Sequence, residues 1–198
     1  MNPVTLFKLF FMPTRGWQDL LRTRPSVPRL FMLHVIPFSL IPSLMIYVAG
    51  MNNSIPLLDV MPGINILLVS ISFFIIQLIA VPVMAIVLRQ LGEVAEVQPN
   101  YRDSFILASV APTPLWLAPV FLIVPNFLVI LAVFTLAMMA AFGIIFYSLP
   151  TLHNIKDEAR ALYYYGGIVM AGMIASASLV LSIVVIWGSL QRLDFAIA

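Results

Sequence analysis

Charge is missing from four long stretches of this chain. No Asp, Glu, Lys or Arg lies between Arg29 and Asp59, Asp59 and Arg89, Asp103 and Lys156, or Arg160 and Arg192. A bilayer's hydrocarbon core takes about 20 apolar residues of helix to cross. The first, second and fourth stretches fit one span each, and the third is long enough for two. The expected spans are Leu30–Gly50, Ile64–Leu88, Ser104–Val124, Phe127–Leu149 and Tyr164–Leu190. Val124-Pro125-Asn126 supplies the turn that divides the long stretch, making the third and fourth spans an antiparallel hairpin. Pro112, Pro114 and Pro119 interrupt the third span, and a re-entrant segment there would change the topology.

Composition agrees with this reading. Hydrophobic residues make up 62% of the chain and charged residues 9%, against about a quarter charged in soluble domains. One water-soluble core of this size cannot hide so much apolar surface, and lipid is the solvent that accepts it. The fold class expected is therefore all-α: a polytopic transmembrane bundle of five spans. Residues 1–29 form a cytoplasmic lead-in, 30–190 the five-span domain and 191–198 a short periplasmic tail. There is no cysteine, which excludes disulfides, thiolate metal sites and cysteine nucleophiles. No Lys/Arg run tracks a nucleic-acid backbone, so nucleic acid is not an expected partner.

Orientation follows from the basic residues in the short loops. Lys8, Arg15, Arg22, Arg24, Arg29, Arg89, Arg102, Lys156 and Arg160 fall on one side, and Arg192 alone on the other. This bias places the N-terminus in the cytoplasm and the C-terminus outside. The first residues lack the small-residue cleavage site of a signal peptide. Beyond Pro13, Trp17, Leu20 and Leu21 oppose Arg15, Asp19 and Arg22 at helical spacing, the pattern of a short interfacial helix lying among headgroups. A cytoplasmic stub packed on the bundle is the alternative.

The polar groups within the spans are few. Apart from His34, none contains an ionisable Asp, Glu, Lys, Arg or His, which disfavours a proton- or ion-coupled mechanism. His34 lies near the inner interface, where it can reach a headgroup or a neighbouring carbonyl. Gln77, in the middle of the second span, calls for a hydrogen bond to another helix. The prolines stand out more. Pro37, Pro42, Pro82, Pro112 and Pro114 each remove a backbone donor and bend their helix, and the freed carbonyls must face protein or water. With Gln77, Thr113 and Trp116 they make a candidate hinge or cavity, or else fixed bends in a static bundle; Thr113 can bond back to a carbonyl. Gly167, Ala171, Ala175, Ser178 and Ser182 form a small-residue stripe suited to close helix packing, within the chain or against a second copy.

Arg89, Glu93, Glu96, Lys156, Asp157, Glu158 and Arg160 make a cytoplasmic surface of interleaved charge, suited to a protein partner. Glu93, Glu96 and His153 lack the spacing of a metal motif. Asp103 or Ser104 is expected to cap the third span, and Asp157 the helix leading into the fifth. No nucleophile–base arrangement, HExxH or phosphate-cradling glycine loop is present, so neither an enzyme nor a cofactor is expected.

Several short segments resemble the Ypt-interacting protein (YIP) family. They are Pro13-Thr14-Arg15-Gly16-Trp17, Pro25-Ser26, Thr113-Pro114-Leu115-Trp116-Leu117, and the stretch from Phe146 to Glu158, which is similar to the segment between the last two spans in that family's small bacterial inner-membrane (YohC-like) branch. The resemblance implies five spans with a cytoplasmic N-terminus. Eukaryotic relatives bind Rab-type GTPases, but their Asp-Leu-Tyr-Gly-Pro motif is missing here and the lead-in is only about thirty residues, so that function does not carry over. The expectation is a non-enzymatic bacterial inner-membrane module that organises lipids, membrane-protein partners or its own oligomer. A conduit or carrier for a small neutral or lipidic substrate is the alternative.

Overall fold

The computed structural model describes residues 25–51, 63–124, 126–153 and 157–197. The interfacial helix expected within the lead-in, Pro125 of the hairpin turn and Lys156 of the charged surface lie outside the described residues. Among those described, every element is helical. Helix α1 covers Val27–Met51, α2 Gly63–Val94, α3 Tyr101–Val110 and α4 Thr113–Leu117. A 3-10 segment, Ala118–Ile123, continues α4; then come α5, Phe127–His153, and α6, Glu158–Ile197. Five of these stretches are long and apolar enough to cross a membrane, with α3, α4 and the 3-10 segment together making the third.

The third span is the axis of the bundle. Every residue from Ser104 to Ala111 is buried, and Phe105, Ile106, Leu107 and Val110 sit in one core cluster with Val81 and Leu88 of α2, Ile145 and Leu149 of α5, and Tyr164 and Ile168 of α6. Its best apolar window is 61% buried, against 28% or less for each of the other spans. A backbone interrupted by prolines survives at membrane depth only when protein surrounds it. The span with the most irregular backbone is accordingly the one wrapped by the rest. Leu131, Leu136, Met139, Met173, Ile174 and Val180 instead stand exposed on α5 and α6, as suits side chains facing hydrocarbon.

Local sequence explains the ends and bends. In α1 the turn Phe31–Val35 is π-helical, the Ile36 N–H reaching back to the Phe31 carbonyl. Pro37 follows, and in a regular α-helix its ring would press on the carbonyl of Leu33; the widened turn makes room for it. The cap of α3 is Asn100, whose side chain accepts from Arg102 N at 3.4 Å. This corrects the expectation of Asp103 or Ser104. The helix starts earlier than hydropathy suggested, at Tyr101, so both residues already lie inside it. Asp157 does cap α6, accepting from Ala159 N at 3.0 Å. Asn126 opens α5, accepting from Leu128 N and Val129 N.

The link from α2 to α3 depends on a glycine. Val97 N donates to Gly92 O at 2.8 Å and Glu96 N to Glu93 O at 3.1 Å, the paired bonds that close a helix with a left-handed residue. That residue is Glu96, at φ 58°, where a side chain costs about 1–2 kcal/mol. The reversal folds the ring of Pro99 onto Gly92, where a Cβ would collide with it and would also meet the Tyr164 ring at 3.3 Å. Gly92→Ala is therefore expected to destabilise the protein by about 1–3 kcal/mol through overpacking. Gly143→Ala has open space around it and should be neutral or slightly stabilising. Thermal unfolding of both variants in detergent tests the contrast, and equal melting temperatures would contradict it.

Candidate functional site

Two breaks face one another across the bundle: the π turn of α1 and the Ala111-Pro112 step between α3 and α4. Pro112 adopts φ −78°, ψ −1°. In a continuous helix residues 112, 113 and 114 would donate to the carbonyls of Ala108, Ser109 and Val110. Pro112 and Pro114 have no N–H to give, and side chains answer part of the deficit. Thr113 Oγ1 donates to Val110 O at 2.7 Å. His34, from the widened turn of α1, brings Nε2 within 3.1 Å of Ser109 O and 3.1 Å of Thr113 Oγ1. Because the Thr113 proton goes to Val110, a hydrogen on His34 Nε2 can be shared between both oxygens. His34 is fully buried, its ring 4.5 Å from that of Phe38 and 6.1 Å from that of Trp116. Its Nδ1 is buried with no hydrogen-bond partner among the described residues.

A second polar contact joins α1 and α2. Gln77 Nε2 donates to Ser39 O at 3.3 Å and to Ser43 Oγ at 3.4 Å, while Ser43 Oγ donates to Ser39 O at 3.2 Å. Ser39 and Ser43 flank Pro42, which is buried, whereas Pro37 is exposed and Pro82 half-buried within an unbroken α2. The prolines thus act differently. Pro37 and Pro112 mark real interruptions, while Pro42 and Pro82 ride within continuous helices.

Gln77, Pro112 and Trp116 also line a cavity of about 120 Å³, together with Met84 and Leu88 of α2, Ala108 of α3, Phe142 and Ile145 of α5, and Ile168, Gly172 and Ala175 of α6. Its walls are almost entirely hydrocarbon. The hydroxyl of Ser176, also on the wall, turns back to Gly172 O at 2.8 Å.

The small residues of α6 meet different surroundings along the helix. Gly167 lies against Leu91, Ala175 lines the cavity, Ala171 and Ser182 are half-buried, and Ser178 is exposed with its hydroxyl on Ile174 O. Beside them, Tyr164 and Ile168 are buried in the core, and Leu179 and Ile183 pack against the cluster of α1 and α2. Tyr164, missed by the sequence reading, donates its hydroxyl to Leu88 O at 3.0 Å. The charged residues gather at one end. Arg89 pairs with Glu93 at 3.1 Å, and Arg160 with Glu96 at 3.0 Å and Asp157 at 3.3 Å, while Glu158 is exposed at the start of α6. These pairs are solvent-exposed and each adds little stability. Among the described residues no cluster of His, Asp and Glu could hold a metal ion.

The Yip1 domain, as a family model, matches residues 7–189 of the chain. Neither the curated proteins nor the solved structures offer a match.

The two polar contacts differ in what depends on them. Removing His34 leaves the Ser109 carbonyl without that donor inside the bundle, so His34→Leu should cost about 1–3 kcal/mol. Gln77 makes long bonds to groups that already have partners, so Gln77→Leu should cost less than about 1 kcal/mol. Reversible unfolding in mixed micelles measures both, and a larger loss for Gln77→Leu would contradict this assignment.

Proposed function

Since the chain belongs to the Yip1-domain family, we propose that it is a non-enzymatic module of the small bacterial inner-membrane (YohC-like) branch that organises protein partners or lipids around a fixed bundle. The observation that carries this reading is the bond from His34 to Ser109 and Thr113. Of the conspicuous polar side chains at depth, His34 is engaged with backbone at the proline breaks and Gln77 with Ser39 beside Pro42. Groups so engaged hold bends in place, which supports a structural role for them. The charged end, with Arg89, Glu93, Glu96, Asp157 and Arg160, supplies a surface for a partner. The distribution of basic residues supports a cytoplasmic position for that end and a periplasmic one for the C-terminus. The apolar cavity beside Trp116 favours a second reading, a carrier for a small neutral or lipidic substrate.

Three measurements bear on this. A reporter fused after Ala198 should read out as periplasmic; a cytoplasmic readout would mean an even number of crossings. In proteoliposomes the module should leave the leak of small neutral solutes at the level of protein-free vesicles. A photoreactive residue replacing Glu93 in the native membrane should give one discrete adduct. Solute flux rising in proportion to protein, with no adduct, would favour the carrier.

A further inference from the structure

The cavity deepens the lipid half of that reading. Its 120 Å³ lie between α2, the third span, α5 and α6. Beside the indole of Trp116, its wall carries Gln77, whose amide N–H is directed to Ser39 and Ser43, and Ser176, whose hydroxyl is directed to Gly172. A buried water needs two to four polar partners, and an apolar cavity of about 150 Å³ takes a benzene-sized hydrocarbon instead. The site's chemistry is therefore that of an alkyl chain, and its volume that of a chain terminus, too small and too apolar for a headgroup.

The packing also provides a way in. Helices α5 and α6 meet near the end where they are joined, the rings of Phe146 and Tyr165 lying edge to face at 5.4 Å. Away from that contact they take different partners. The second half of α6 sets Leu179, Ile183 and Ile186 against the Ile46, Ile66, Val69 and Phe73 cluster of α1 and α2. Helix α5 instead packs along α4 and the 3-10 segment. The cavity lies in the cleft this divergence leaves. On α5 it is lined by Met138 while the neighbouring Met139 is exposed; on α6 it is lined by Gly172 while the neighbouring Met173 is exposed. Such a cleft borders the hydrocarbon of the bilayer, and flexible methionine side chains yield easily to an inserting chain.

We propose that this cavity holds the terminal segment of one acyl chain of a bilayer lipid, inserted laterally between α5 and α6. Gly172 gives the means to test it, because a Cβ built there meets nothing within 4 Å. Gly172→Phe directs a ring into the space from a position where its Cβ meets no neighbour, and Ala175→Phe is a second filling variant on the same wall.

The full chain would be placed in nanodiscs of phosphatidylethanolamine and phosphatidylglycerol. These would carry a trace of phosphatidylcholine with a diazirine at the end of one chain, and adducts would be mapped by peptide mass spectrometry. The expected result is labelling of Met138 and Phe142 that falls at least tenfold in either filling variant, while labelling of exposed Met139 and Met173 persists. A diazirine moved to the headgroup should leave the cavity unlabelled. Cavity labelling unchanged by both fillings, labelling of the outer faces alone, or cross-links between two copies through the cleft would each overturn the proposal. Unchanged melting temperatures for the variants show that the bundle is intact. The readout is chain occupancy and not partner capture, so failure here would leave the adduct and flux measurements on the proposed module unaffected.

Discussion

A carbonyl freed by proline inside a membrane has no water to turn to, and the arrangement of this protein depends on how that demand is met. Pro112 and Pro114 open the third span at membrane depth. The Val110 carbonyl, left without an N–H by Pro114, is answered from within the span by Thr113, and the Ser109 carbonyl beside the break is answered from outside it by His34. The second answer requires α1 to present an imidazole at that level. The π turn of α1, itself fitted to Pro37, coincides with the turn that carries His34. Two separate proline breaks are thereby joined by one side chain.

The same demand explains why the third span is central. Hydrocarbon cannot satisfy an irregular backbone, so the remaining helices surround it. Protein fully encloses Ser104 to Ala111 while α5 and α6 keep broad exposed apolar faces. Where the outer helices follow different partners, the broken span leaves an apolar cavity beside Trp116. Cavity and clamp meet at the Pro112 step, whose proline lines the cavity.

The crossings were legible because charge is so costly in hydrocarbon that its absence marks them. Helix ends were less so, since the helices run on beyond the apolar limit: α6 begins at Glu158 and α3 at Tyr101, where charged residues are as helical as apolar ones. The position of the third span was not legible, because residues facing lipid and residues facing protein are equally apolar in a membrane. For the same reason hydropathy did not single out Tyr164 and Ile168 as the residues of α6 buried in the core. The prolines announced bends, but which became breaks depended on partners elsewhere in the chain. His34 was visible as a buried histidine in reach of a carbonyl; the carbonyl's owner, 75 residues away, was not. Gly92 gave no signal in sequence, because its role arises only when Pro99 folds back on it.

The central claim is that His34 and Thr113 act together to hold the break. A double-mutant cycle of His34→Ala, Thr113→Val and the pair, read by reversible unfolding in mixed micelles, measures it most directly. A coupling of about 0.5–3 kcal/mol is expected, as for residues sharing one hydrogen-bond network. Additive losses, with each substitution costing the same whether or not the other is present, would show that the two side chains stabilise the bundle separately and would contradict it.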